Sequence, residues 1–239
     1  MAKWQILFLG FIFDDITYLY SIQKFILTKP YEMAKKTTPE ITLTTLIDFV
    51  NKSGNAKFSV VKDQKKNQDE YSPAMDFYKA LREGIIEIHE ENLDKSALDN
   101  IVTDVTDKKK KPHYKIAVDS YKKFWEKNKL SWFKPVSYNW KVGDLTIKIN
   151  PELGLEFNSS FLIIKLYFKD DALTKPRATQ ILSLLESKLR NKVKEEEVLF
   201  AVLDVKKGKI FINNKKDTSL MPLIEGEAAS FATIWKAIP

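Results

Sequence analysis

Apolar and polar residues alternate at Leu145, Ile147 and Ile149, and this period of two sets the second half of the chain apart from the first. Such alternation predicts a half-buried strand within "YNWKVGDLTIKIN". Two more apolar runs, "ELGLEF" and "SFLIIKLYF", meet at Asn158–Ser159 and predict a β-hairpin. In "TKPRATQILSLLESKLRNK" the spacing changes to that of a helix. Thr174 can cap it, Pro176 suits its first turn, and Ile181, Leu182, Leu184, Leu185 and Leu189 line its core side. "EVLFAVLDV" is apolar almost throughout, as a strand covered on both faces is. "KGKIFIN" follows a turn at Gly208, and "GEAASFATIWKAI" reads as a closing helix.

The first half reads as mainly helical. Ile16, Leu19, Tyr20 and 23–25 suit a helix that Pro30 ends. Thr42 or Thr44 can cap a short helix that closes before Gly54. The charged stretch "NAKFSVVKDQKKNQDEYSP", with its apolar island Phe58–Val61, is read as a loop or short strand. A clear helix is expected in "SPAMDFYKALREGIIEIHEEN". Ser72 and Pro73 open it, and Met75, Tyr78, Ala80, Leu81, Ile85 and Ile88 form its stripe. The lysine run Asp107–Pro112 is taken as a solvated linker or a phosphate-contacting loop, with a helix through Ile116, Tyr121, Phe124 and Trp125 after it. The expected fold is α+β: a mostly helical region 1–112 packed on a mixed or antiparallel sheet with flanking helices, 113–239. Whether the two share one compact unit is left open.

Composition narrows the chemistry. At 239 residues, 44% hydrophobic and 30% charged, the chain is globular in character and long enough for one large core or two small ones. It has seven glycines and no phosphate-cradling Gly motif. The absence of cysteine excludes disulfides, thiolate metal sites and cysteine nucleophiles. With His89 and His113 the only histidines, a metal would need oxygen ligands, as Mg²⁺ or Mn²⁺ does. No nucleophile elbow is present. The apolar run Trp4–Phe13 is broken by Asp14 and Asp15, too short to span a bilayer. A buried strand or core helix in a cytoplasmic protein, not bound to membrane, is therefore expected. The net charge of +7 favours polyanionic partners.

The hairpin carries the sharpest chemical signal. If Asn158 and Ser159 form a two-residue turn, Phe157 faces Ser160, Gly154 faces Ile163, and Glu152 faces Lys165 on one side of the sheet. The plain reading of that juxtaposition is a cross-strand ion pair. A lysine inside "FLIIKLYF" either snorkels from an edge strand or sits at a polar site in a cleft.

From about Lys115 the order is helix, three strands, helix, strand. That order, with Glu152 in "NPE" and Lys165 on the next strand, resembles the αβββαβ core of the restriction-endonuclease-like PD-(D/E)xK superfamily. The resemblance covers roughly the last half of the chain. It implies nucleic acid as partner and, in an active member, Mg²⁺ or Mn²⁺ held by carboxylates for phosphodiester hydrolysis. Glu152 and Lys165 would be the catalytic pair, with Glu152 also a metal ligand. Ile163 occupies the position where the pattern has an acid, so a second ligand would come from Asp144, Glu156 or Glu83.

Lys175, Arg177 and Arg190 at the two ends of one helix are candidate phosphate contacts, or else a solvated face. Aromatics between Tyr121 and Trp140, interleaved with lysines, read as a single-strand stacking surface or as interface core. Two functions are compatible with these features. One is a nucleic-acid-binding protein on a degenerate nuclease-like core, with Mg²⁺-dependent cleavage as its catalytic form. The other is a non-enzymatic subunit that offers the sheet as a scaffold to a protein partner.

Overall fold

The computed structural model describes residues 38–69, 76–126, 129–157, 160–193 and 197–238. The expected elements before Pro30, the opening residues Ser72, Pro73 and Met75, and the turn residues Asn158 and Ser159 lie outside these. Residues 37–239 form one compact unit. In chain order it contains β1 (Glu40–Thr42), α1 (Leu43–Val50), α2 (Asn55–Asp69), α3 (Lys79–Glu90), α4 (Leu98–Asp104) and α5 (Lys110–Glu126). Strands β2 (Leu130–Phe133), β3 (Tyr138–Val142), β4 (Leu145–Ile149), β5 (Leu153–Phe157) and β6 (Ser160–Tyr167) follow. The chain continues with α6 (Lys175–Leu189), β7 (Leu199–Asp204), β8 (Lys209–Ile212) and α7 (Met221–Ala237). The fold is α+β, with a mixed sheet at its centre.

That sheet has five strands in the order β2-β5-β6-β7-β8, antiparallel everywhere except between β6 and β7. A parallel pair needs a crossover, and α6 provides it. A second sheet of three strands, β1-β4-β3, has β1 parallel to β4 and β3 antiparallel to it. The period-two alternation of β6 and β7 divides the interior. Ile163, Tyr167, Phe200 and Val202 face a core built with α1, α6, α7 and the small sheet. Leu162, Ile164, Leu166, Ala201 and Leu203 face a second core built with α3, α4 and α5. Both cores draw on residues from each side of position 112.

The structure corrects several expectations. The stretch read as loop or strand is the helix α2. Its faces are polar nearly all round, with Val61 buried and Phe58 half exposed, so it shows no clear apolar period. Tertiary bonds hold it: Lys57 pairs with Glu227, Gln68 donates to Thr38 O, and Lys65 donates to the carbonyl of Ile238 at the end of α7. The lysine run is in part the first turn of α5. Asp107 takes the amide of Lys109 on its side chain, and Pro112 falls where a helix lacks N–H partners anyway. "YNWKVGDLTIKIN" is a hairpin, with Gly143 at φ +58° in its turn, and it belongs to the small sheet. The first of three antiparallel strands in the large sheet is instead β2, four residues too short to show a period. Among the described residues no helix is long and apolar enough to cross a membrane.

Gly154 is fixed by close approach. A Cβ there would stand 2.3 Å from the Phe133 carbonyl oxygen and 2.8 Å from its ring. Gly154→Ala should therefore force β2 away from β5 and destabilise the protein by roughly 1–3 kcal/mol, read as a lower urea midpoint.

His89 is buried in the second core. Its Nε2 shares a 2.7 Å hydrogen bond with the Tyr121 hydroxyl, and its ring stacks on Trp125. Burial lowers its pKa from 6.5 to about 4. The unfolded chain therefore takes up a proton near pH 6.5 that the folded chain refuses until about pH 4. The stability held above pH 6.5 should fall by roughly 3 kcal/mol as the pH drops through that window. Urea titrations between pH 7 and 4 should show this slope, and His89→Gln should flatten it.

Candidate functional site

The site begins with backbone. In "NPE", Pro151 precedes the strand, and Glu152 donates its amide to Ile164 O at 3.1 Å, extending the β5–β6 ladder by one residue. The register of that ladder is the one expected from a two-residue turn: Phe157 opposite Ser160, Gly154 opposite Ile163. It brings Glu152 and Lys165 together. Lys165 donates from Nζ to Glu152 Oε1 at 2.5 Å and to the Asn150 carbonyl at 3.2 Å. The other carboxylate oxygen, Oε2, accepts the Leu166 amide at 2.7 Å. Glu152 is 9% exposed and Lys165 5%, on a central strand, so this lysine does not snorkel from an edge.

The pair forms part of the wall of a cavity of about 710 Å³ at the end of β6. The starts of α1, α3, α5 and β5, the latter part of α2 and the end of β6 meet there. Thr42, Thr44 and Thr45 come from the start of α1, and Thr42 caps that helix by accepting the Thr45 amide. Arg82 comes from α3 and is bound to Asp76 just before that helix, NH2 to Oδ2 at 2.7 Å. Burial alone would lower the pKa of Arg82, but the bond to Asp76 and the charges of Asp76 and Glu152 hold it above its ordinary value. Lys169 and Asp170 come from the segment after β6. Lys169 pairs with Asp48 and Asp170 with Lys206, whose bond and charge keep the Asp170 carboxyl below the usual range. Phe77, Tyr78, Phe168 and His113 supply the aromatic part of the wall.

Among the described residues, none of the other metal-ligand or phosphate-contact candidates expected from sequence lines this cavity. Asp144 is on the β3–β4 turn, bound to Lys236 of α7 at 2.8 Å. Glu83 is an exposed partner of Lys79. Ile163 is fully buried in the first core. Lys175 is exposed at the start of α6. Arg177 is turned inward, donating to the Tyr167 hydroxyl at 2.7 Å. Arg190 grips Glu186 with two bonds of 2.7 and 2.8 Å and donates to Val198 O. Of the aromatics, Tyr121, Phe124 and Trp140 are core.

Sequence reasoning missed Arg82, Asp76, His113 and the three threonines, because only tertiary packing brings the first half of the chain over β6. Both oxygens of Glu152 already accept hydrogen bonds, and an isoleucine stands where the second acid would be. Among the described residues no three His, Asp or Glu side chains converge as metal ligands. No protein-family model matches the chain, and no curated protein matches it in sequence.

The chemistry of the pair can be tested by itself. Lys165→Met leaves a buried carboxylate without its cation and should cost roughly 3–5 kcal/mol. Adding Glu152→Gln removes that charge yet keeps an acceptor for the Leu166 amide, so the double variant should recover most of the loss. Equilibrium denaturation of the two single variants and the double one measures this coupling.

Proposed function

We propose that the protein binds nucleic acid through the Glu152–Lys165 cleft, on a core whose connectivity resembles that of restriction-endonuclease-like proteins. The observation that carries the reading is the buried ammonium of Lys165. Among the described residues two acceptors take two of its three N–H groups, and the side chain lines the cavity. A phosphate oxygen suits the third. Arg82 and Lys169 line the same wall, and Lys175 is exposed at the start of α6. The connectivity agrees with the reading: α5, β2, β5, β6, α6 and β7 give helix, three antiparallel strands, crossover helix, and a strand parallel to the third. Hydrolysis is not part of the proposal, because Glu152 serves Lys165 and the Leu166 amide and Ile163 stands where a second acid ligand would be.

A second reading has its own support. The cations of the cleft hold carboxylates already: Lys165 with Glu152, Arg82 with Asp76, Lys169 with Asp48. A charge-balanced wall of this kind also suits a rigid scaffold that meets a protein partner.

Anisotropy titrations with labelled single- and double-stranded DNA and RNA, at low and moderate salt and with or without Mg²⁺, separate the readings. Binding should weaken linearly in log salt. It should fall about tenfold or more when the Lys165→Met/Glu152→Gln double variant removes the charged donor. No binding to any of these nucleic acids would leave the scaffold reading. Mg²⁺-dependent cleavage that disappears in Glu152→Ala would overturn the metal-free assignment.

A further inference from the structure

The cavity wraps the end of β6, so its wall mixes residues from both faces of the sheet. Lys165 and Glu152 come from one face and Leu166 from the other, with Phe168 just beyond the strand. The aromatic part is ordered. Tyr114, at the buried end, stacks on Tyr78 with ring centroids 5.9 Å apart and planes at 18°. Tyr78 stacks in turn on Phe168 at 5.1 Å and 20°. There the column ends: among the described residues Phe168 has no other ring neighbour, it is only half-buried, and it lines the cavity. Two successive stacked pairs whose last ring lines a cavity offer one more flat ring a place to continue the stack. Lys165 and Lys169, close to Phe168 in sequence, line the same space.

We propose that the cleft takes one unpaired nucleotide of a nucleic-acid strand, with its base stacked on Phe168 and its phosphate held by Lys165 and Lys169. This rests on the nucleic-acid reading above and narrows it to single strands or frayed ends. A base inside a duplex has both faces covered by its neighbours and cannot extend the column, whereas an unpaired base can. A cavity of about 710 Å³ falls within the range that holds one small-molecule-sized unit and excludes a duplex. Asp76, Glu152 and Asp170 add acceptors to the wall, but each is already bound to a cation. Stacking and phosphate contact therefore dominate, and sequence preference should be weak.

The test uses the whole chain and four probes: a short single-stranded oligothymidylate, a blunt duplex with the same number of phosphates, an abasic strand of equal length, and thymidine 5′-monophosphate. The oligothymidylate should bind roughly 5- to 100-fold more tightly than the abasic strand, the range that stacking of a base on an aromatic side chain supports. The duplex should bind no better than the abasic strand. Phe168→Leu should abolish the difference between oligothymidylate and abasic strand. Phe168→Trp should restore it, with quenching of the new indole on addition of oligothymidylate. Equal affinity for oligothymidylate, abasic strand and duplex overturns the inference while the nucleic-acid reading stands. So does a preference that survives Phe168→Leu. Binding of the monophosphate without binding of the strand also overturns it. No binding of any strand overturns the reading beneath it.

Discussion

Two opposite charges removed from water on the central strand of the large sheet constrain the rest of the structure. An ion pair as buried as Glu152 and Lys165 costs desolvation on both sides, and it is tolerated only where geometry and further hydrogen bonds are good. Both conditions hold. Lys165 reaches Glu152 and a backbone carbonyl, and Glu152 reaches Lys165 and a backbone amide. All of these partners lie on β5, β6 or the residues just before β5, so the pair is satisfied in one register. A slip of one residue would turn Lys165 into the apolar core closed by α3, α4 and α5 and leave Glu152 without its cation. The apolar residues of β6 discriminate poorly between registers, since both faces are buried. The charged pair supplies the discrimination that they lack.

With β5 and β6 fixed, the remaining layout follows. The parallel neighbour β7 needs a crossover on one face, and α6 fills it together with α1 and α7. The opposite face is closed by α3, α4 and α5. Helices on the two sides come together at the end of β6, where the sheet no longer separates them. Element ends carry the polar groups of a fold: the capping Thr42 of α1, Asp76 ahead of α3, Lys169 and Asp170 after β6. A polar cleft at that end is thus a product of how the helices terminate, while the ion pair below it comes from the sheet.

What the sequence disclosed divides along the same line. The hairpin register and the meeting of Glu152 with Lys165 depend on a period of two and on turn length, both local, and both are legible. The crossover α6 is legible because Thr174, Pro176 and its leucines are local too. Helix α2 is not, because its stability comes from Lys57, Lys65 and Gln68 reaching distant partners and not from an apolar stripe. Strands β1 and β2 are too short to carry a period. Arg177 and Arg190 resemble surface cations in sequence, yet one is anchored by a tyrosine hydroxyl and the other by Glu186. Charge alone does not report where a guanidinium ends up. The far wall of the cleft was hidden for a like reason: Arg82 and Asp76 are remote from β6 in the chain, and no spacing rule links them to Lys165.

The internal carboxylates give the cleft its character. Glu152 holds Lys165 through Oε1 and the Leu166 amide through Oε2, so it positions the lysine. A lysine held in this way gives up little side-chain freedom when an acceptor arrives, which removes part of the entropy cost of binding. The same carboxylate cancels much of the field that would draw a polyanion from a distance. Arg82 with Asp76 and Lys169 with Asp48 repeat the arrangement. Such a cleft is preorganised yet nearly neutral, and neutrality shifts discrimination from long-range attraction to contact. On the nucleic-acid reading proposed above, shape and stacking at the aromatic wall then outweigh the net charge of +7 carried by the chain as a whole.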